Sequence, residues 1–152
     1  MTPIRKKRNR KPSWFMRAAH CPYCGLPITH AKTFSSTGPG DPFSADMARL
    51  GTSIMLVQCG GYASSAAETA FLASADDFTR KHFSSQDRIV YVEDYSDITG
   101  ADAEARKQYI HYFLNNRNRF YAFLFYNLPP IFRIQFQSHS INSMHMEQQC
   151  LP

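Results

Sequence analysis

The residues best suited to chemistry are Cys21 and Cys24 in "HCPYCG". Two thiolates separated by two residues, with Pro22 between them and Gly25 behind, make a tight turn that can wrap one side of a tetrahedral zinc ion. A closed site needs two further ligands. The chain has no second Cys-x-x-Cys, so these would come from His20, His30, Cys59, Cys150 or a second chain. The same spacing also suits thiol–disulfide exchange with Cys21 as the attacking sulfur. That chemistry needs an apolar strand before the cysteine and a helix N-terminus to lower its pKa. The preceding "SWFMRAAH" is short and mixed, and Pro27 leaves little room for a helix. A plain turn bearing two free thiols is the third reading, and all three stay open.

A second stretch draws attention for a different reason. In "VEDYSDITGADAEARKQYI", Val92 to Ile110, an apolar strand pattern gives way to acidic and hydroxyl residues immediately before a helix. Asp94, Tyr95, Ser96, Asp97, Thr99, Asp102 and Ala103 are the candidate partner-binding residues of this loop. The alternative is structural, with Asp94, Ser96 and Asp102 capping a turn and a helix. Elsewhere the six histidines are scattered, and neither a nucleophile-elbow motif nor a phosphate loop is present. A catalytic role is not expected.

Charge and composition bound the remaining functions. The 152 residues carry a net charge of +5 from 17 basic and 12 acidic groups. Seven of the basic residues lie within residues 1–17, which hold no acid, so the rest of the chain carries 10 basic against 12 acidic groups. The basicity belongs to an arm, residues 1–18, read as disordered and solubilising, with nucleic acid, anionic lipid or an acidic protein as possible contacts. No apolar run is long enough to span a membrane, and no apolar stretch follows the arm as in a secretory signal. A soluble, cytoplasmic protein is expected.

The elements that must position these residues follow from periodicity. Residues 19–31 form the cysteine segment, and 32–42, "KTFSSTGPGDP", read as a linker. The compact domain then begins near Phe43. A turn at Leu50-Gly51-Thr52 separates two hairpin strands, the second being Ile54-Met55-Leu56-Val57 and ending at Gly60-Gly61. Ser65 and Glu68 form a capping-box start for a helix over about 65–83, with Ala67, Phe71, Ala75, Phe78 and His82 on one stripe. Ile89 to Asp94 is a buried strand. A second helix over about 102–116 has Asp102 as N-cap and Ala105, Tyr109, Ile110, Phe113 and Leu114 as its apolar stripe. Phe120 to Tyr126 makes a last buried strand, and 138–152 is a polar, Met-rich tail. The order β-β-α-β-α-β implies right-handed crossovers and an α/β sheet with its helices packed on one face.

With "IMLVQCGGY", "IVYVEDYSDITGADAEARKQYI" and "FYAFLFYNLPPIF" in that order, residues 43–137 resemble the STAS domain of anti-sigma-factor antagonists and sulfate transporters. The resemblance implies a non-enzymatic regulatory module acting through protein contacts in bacterial signalling or gene control. Asp94, Ser96 and Asp102 fall where that family has its strand-end Asp, its loop Ser and the Asp before the second helix. Its phosphorylatable Ser falls at Ala103, which has no hydroxyl, and its Gly at Ala105. The phosphoswitch is therefore expected to be missing at this position. Two rivals stand beside this reading: a zinc-knuckle nucleic-acid-binding protein working through the basic arm, and a thiol oxidoreductase using Cys21, whose C-P-Y-C is similar to the glutaredoxin tetrapeptide.

Overall fold

The computed structural model describes residues 11–36 and 42–129. Five strands, β1 (Ile28–Ser35), β2 (Ser44–Leu50), β3 (Ile54–Ala63), β4 (Ile89–Ala101) and β5 (Phe120–Tyr126), lie in one sheet in chain order. The first three are antiparallel and the last three parallel, so the sheet is mixed. The helices α1 (Ser65–His82) and α2 (Ala103–Asn115) are the crossovers that parallel pairing requires. The fold is α/β, as the alternation of periods implies.

Each element has a readable cause. The β2–β3 hairpin closes with Leu50 opposite Ile54, and Gly51 in its loop adopts φ +62°, a conformation that suits glycine. In β4, Ile89, Tyr91, Glu93 and Tyr95 alternate inward and are all buried. They meet Met55, Val57 and Cys59 of β3 beneath Ala67, Phe71, Ala75 and Phe78 of α1 and Tyr109 and Phe113 of α2. Ser64, one residue earlier than the expected cap, accepts a hydrogen bond from the amide of Ala67 through its hydroxyl (3.2 Å). His82 is only part of the way into the core, and Leu114 at the end of the α2 stripe is exposed.

The opposite face of the sheet has its own smaller cluster: Phe15, Cys21, Ile28, Ala48, Leu50 and Leu56. Its presence changes the reading of the N-terminus. Residues 1–10 lie outside the described residues, but the arm as read to residue 18 includes a docked portion. Ser13 and Phe15 are buried, and Asp46 accepts hydrogen bonds from the Ser13 amide (2.9 Å), the Ser13 hydroxyl (2.7 Å) and the Thr33 hydroxyl (2.8 Å). An apolar ring and a satisfied buried carboxylate thus hold the segment.

Three element boundaries differ from those read in the sequence. Residues up to Ser35 of the expected linker belong to β1, while 37–41 lie outside the described residues. β1 is an edge strand, largely exposed, with an irregularity between Thr29 and Lys32 where His30 takes φ +57°. Its apolar alternation is broken for both reasons. The second hairpin strand does not stop at Gly60-Gly61 but continues to Ala63, and β4 continues alongside it to Ala101. The expected loop from Asp94 is therefore a strand over most of its length. The tail 138–152 lies outside the described residues.

Gly61 is the tightest point of this extension. It has φ +85°, and a Cβ there would lie 1.9 Å from the carbonyl oxygen of Pro42. Gly61→Ala is expected to destabilise the fold by about 2 kcal/mol or more, through backbone strain and displacement of the Pro42 segment. A urea unfolding midpoint equal to that of the wild type would contradict the assignment.

Candidate functional site

The residues of the expected partner surface divide between two sides of β4. Ser96, Asp97, Thr99 and Ala103 are exposed, while Tyr95 is buried and Asp94 and Asp102 are half-buried. The adjacent Ser96 and Asp97 are both exposed because the β3–β4 register shifts between Gln58 and Gly60, which interrupts the period-two alternation just after Tyr95. The carboxylate of Asp94 accepts from the Ser96 amide (2.9 Å) and from the Asn127 side-chain amide (3.0 Å), tying the strand to the end of β5. Gln58 of β3 reaches both Ser96 Oγ (3.5 Å) and Asp97 Oδ2 (3.4 Å). The surface is a backed strand rather than a free loop.

Asp102 behaves differently from a simple helix cap. It occupies the N-cap position of α2 but makes no side-chain bond to that helix. Its carboxylate instead accepts from the Ser65 amide at the start of α1 (2.9 Å) and from the Tyr62 hydroxyl (2.8 Å). It therefore satisfies an orphan amide of the neighbouring helix. These bonds, the Ser65 amide first, hold its pKa below the usual carboxylate range. The N-termini of α1 and α2 are further joined by Gln108, which donates to Ser65 Oγ (3.1 Å) and accepts from Thr69 Oγ1 (3.2 Å).

Behind this surface lies a feature that the sequence reading missed. Glu93 is completely buried at the centre of the sheet, where it accepts from Cys59 Sγ (2.9 Å) on β3 and from the Tyr109 hydroxyl on α2. Burial raises its pKa, against the lowering effect of these donors. Glu68 of α1 is buried nearby, and its Oε1 has no hydrogen-bond partner. Desolvation first and the charge of Glu93 second push its pKa up to about 8. Both carboxyls line a pocket of about 40 Å³, whose walls include Phe43, Tyr95, Ile98 and Arg106. The signal was positional. Glu93 continues the inward alternation of Ile89 and Tyr91, and Glu68 falls on the buried stripe with Phe71, Leu72 and Ala75.

The cysteine pair forms the tight turn its sequence implies. The Cys21 amide donates to the Leu26 carbonyl (2.8 Å), the Gly25 amide donates to the Cys21 carbonyl (2.9 Å), and Gly25 takes φ +72°. Burial raises the pKa of the Cys21 thiol, but hydrogen bonds from the Cys24 and Tyr23 amides outweigh it and the net shift is downward. Cys24 is exposed. Cys59 belongs to the core on the other face of the sheet, away from the Cys21 cluster, and Cys150 lies outside the described residues. His30 stacks on His82 with ring centroids 4.1 Å apart. Among the described residues no group of three or more His, Cys, Asp or Glu is placed to hold a metal ion. The turn after Cys21 leads into β1, so the helix that would activate an attacking thiol is not there.

No protein-family model, no curated protein and no solved structure matches this chain. Among the described residues no helix is long and apolar enough to cross a membrane.

The elevated Glu68 pKa has a defined consequence for stability. The folded state holds a proton on Glu68 between its ordinary pKa of 4.5 and about 8, where the unfolded chain has released it. Its contribution is therefore fully present below the lower value, declines as pH rises, and levels off above the upper one. Glu93 lines the same pocket and its charge helps to raise the Glu68 pKa, so the difference between the wild type and a Glu68→Gln variant reports Glu68 together with its coupling to Glu93. Glu68→Gln is expected to be more stable than the wild type by about 2 kcal/mol or more at about pH 8, with the advantage largely gone at about pH 5. Urea unfolding at the two pH values measures this, and a pH-independent difference would refute the assignment.

Proposed function

We propose that this chain is a regulatory protein-interaction module. Its contact surface is the second half of β4 with the first turn of α2, namely Ser96, Asp97, Thr99 and Ala103, held by Asp94, Tyr95 and Asp102 beneath. The observation that carries the reading is the backing of these exposed acidic and hydroxyl groups: Gln58 holds Ser96 and Asp97, Asp94 holds the Ser96 amide, and Asp102 ties the segment to α1. A pre-organised surface loses little conformational freedom on docking, and so binds a partner at lower cost than a mobile loop. The signalling context rests on the resemblance to STAS domains. Zinc at Cys21 and Cys24 would make the N-terminal turn a second structural unit on the far face of the sheet. The downward shift of the Cys21 thiol favours it, because the thiolate is the metal-binding form.

Photo-crosslinking in the native host's lysate, with the reactive group at Thr99, is expected to trap a partner, and the same group at exposed Lys32 on β1 is not. Ser96→Lys combined with Asp97→Lys should abolish the Thr99 crosslink while leaving the circular dichroism unchanged, since both side chains are exposed. An undiminished crosslink in that variant would overturn the surface assignment.

The regulation of this surface follows from Ala103, exposed as the first residue of α2. A phosphate at a helix N-terminus would alter the partner surface electrostatically, but alanine cannot accept one. Incubation with an anti-sigma-type kinase and ATP is expected to leave this position unmodified, with Ala103→Ser as the variant that restores the acceptor hydroxyl. Mass spectrometry distinguishes the outcomes. Stoichiometric phosphate on wild-type Ser96 or Thr99 would show that the surface is phosphoregulated after all.

A further inference from the structure

The turn from Cys21 to Leu26 gathers several groups around one sulfur. The amides of Cys24 and Tyr23 and the thiol of Cys24 all lie within hydrogen-bonding reach of the Cys21 side chain. Amides aimed at a sulfur are the outer-shell support that a metal-bound thiolate uses. The backbone holds this arrangement from both ends: the Cys21 amide donates to the Leu26 carbonyl (2.8 Å), the Gly25 amide donates to the Cys21 carbonyl (2.9 Å), and Gly25 takes φ +72°. Cys21 is anchored inward with Phe15 and Ile28, whereas every residue from Pro22 to Pro27 is exposed. The two thiols are thus held close, and the outer one is open to solvent.

A structural zinc ion takes four ligands in a tetrahedron, and this turn supplies two. Among the described residues nothing completes the set. No group of three or more His, Cys, Asp or Glu is placed to hold a metal ion, His20 beside the turn included, while His30 is stacked on His82 and Cys59 belongs to the core on the other face of the sheet. A second copy of the same turn supplies the missing pair with the same chemistry, and a twofold axis through the ion makes the contact closed and self-complementary. The turn also carries apolar surface for such a contact, because Tyr23 and Leu26, on either side of Cys24 in sequence, are 71% and 41% exposed. Resting on the zinc reading of this turn, we propose that one zinc ion joins two copies of the chain through Cys21 and Cys24 of each, as a four-thiolate site. Each thiol gives up its proton as it binds, so the joint weakens as pH falls. The Cys21 cluster lies on the sheet face opposite α1 and α2, so the joint does not occupy the helices. Such a dimer presents the contact surface twice and holds a paired partner more tightly than one copy does.

Titration of the purified chain with zinc sulfate under reducing conditions, read by native mass spectrometry, tests the proposal. A species of twice the chain mass holding one zinc ion is expected, and a chelator is expected to return it to metal-free monomer. Cys24→Ser, at an exposed position, should lose both the zinc and the dimer with an unchanged circular dichroism spectrum. A chain carrying His20→Ala, His139→Ala, His145→Ala and Cys150→Ser together should keep both, because the ligands come from the two turns. One zinc ion per chain, in monomer or dimer, would overturn the bridge and leave zinc at the turn intact. Absence of zinc uptake would overturn the bridge and the zinc reading together. A dimer that survives the chelator or Cys24→Ser would show a joint not built by zinc, and loss of zinc from the fourfold variant with its fold retained would place the missing ligands within one chain; either result would also overturn the proposal.

Discussion

β4 can lie parallel to β3 only because α1 carries the chain back across the sheet, and this pairing, from Ile54 opposite Val90 to Ala63 opposite Ala101, governs the rest of the molecule. A second parallel step to β5 requires α2 in the same way. Successive crossovers of the same hand place both helices on one face, so that Phe71 and Phe78 of α1 and Tyr109 and Phe113 of α2 share a core. The extension of β3 and β4 beyond Asp94 brings the starts of both helices close enough for Asp102 and Gln108 to join them. The pocket and the exposed surface are the two sides of that one extension.

The same core contains two carboxyl groups, and their burial is tolerated because the surrounding apolar gain is larger. Met55, Phe43, Phe71 and Phe78 are essentially inaccessible, and each contributes about 1.5–3 kcal/mol by removal from water. An unpartnered buried polar group costs about 1–3 kcal/mol. Glu93 is the better accommodated of the two, with donors from two different elements. Glu68 has Oε1 without a donor and avoids the full cost of a buried charge by staying protonated to about pH 8.

On the other face the sheet acts as a partition. Cys21 packs with Phe15, Leu50 and Leu56, while Cys59 packs with Tyr91 and donates to Glu93. The two thiols therefore live in separate chemical environments. One lies in a turn whose amides favour thiolate, and the other serves as a weak donor inside an aromatic core. The N-terminal segment remains on its face through Phe15 and the bonds from Ser13 to Asp46.

Local periodicity was sufficient for the two helices, the β2–β3 hairpin and the buried strands, because each buries a face whose spacing is written in nearby residues. The residue type alone determined that position 103 carries no hydroxyl. The edge strand β1 was not legible, since an exposed strand with a distorted register needs no apolar alternation. Nor was the continuation of β4, whose residues after Tyr95 read as a loop by composition but gain their backbone partners from β3, far away in sequence. Asp102 looked like the cap of its own helix, and only the packing of α1 beside α2 directed its carboxylate to Ser65. Glu68 and Glu93 stood at positions whose periodicity already pointed inward. What the tertiary structure decided was their proximity and the supply of donors around them, which depends on β3, β4, α1 and α2 converging at one place.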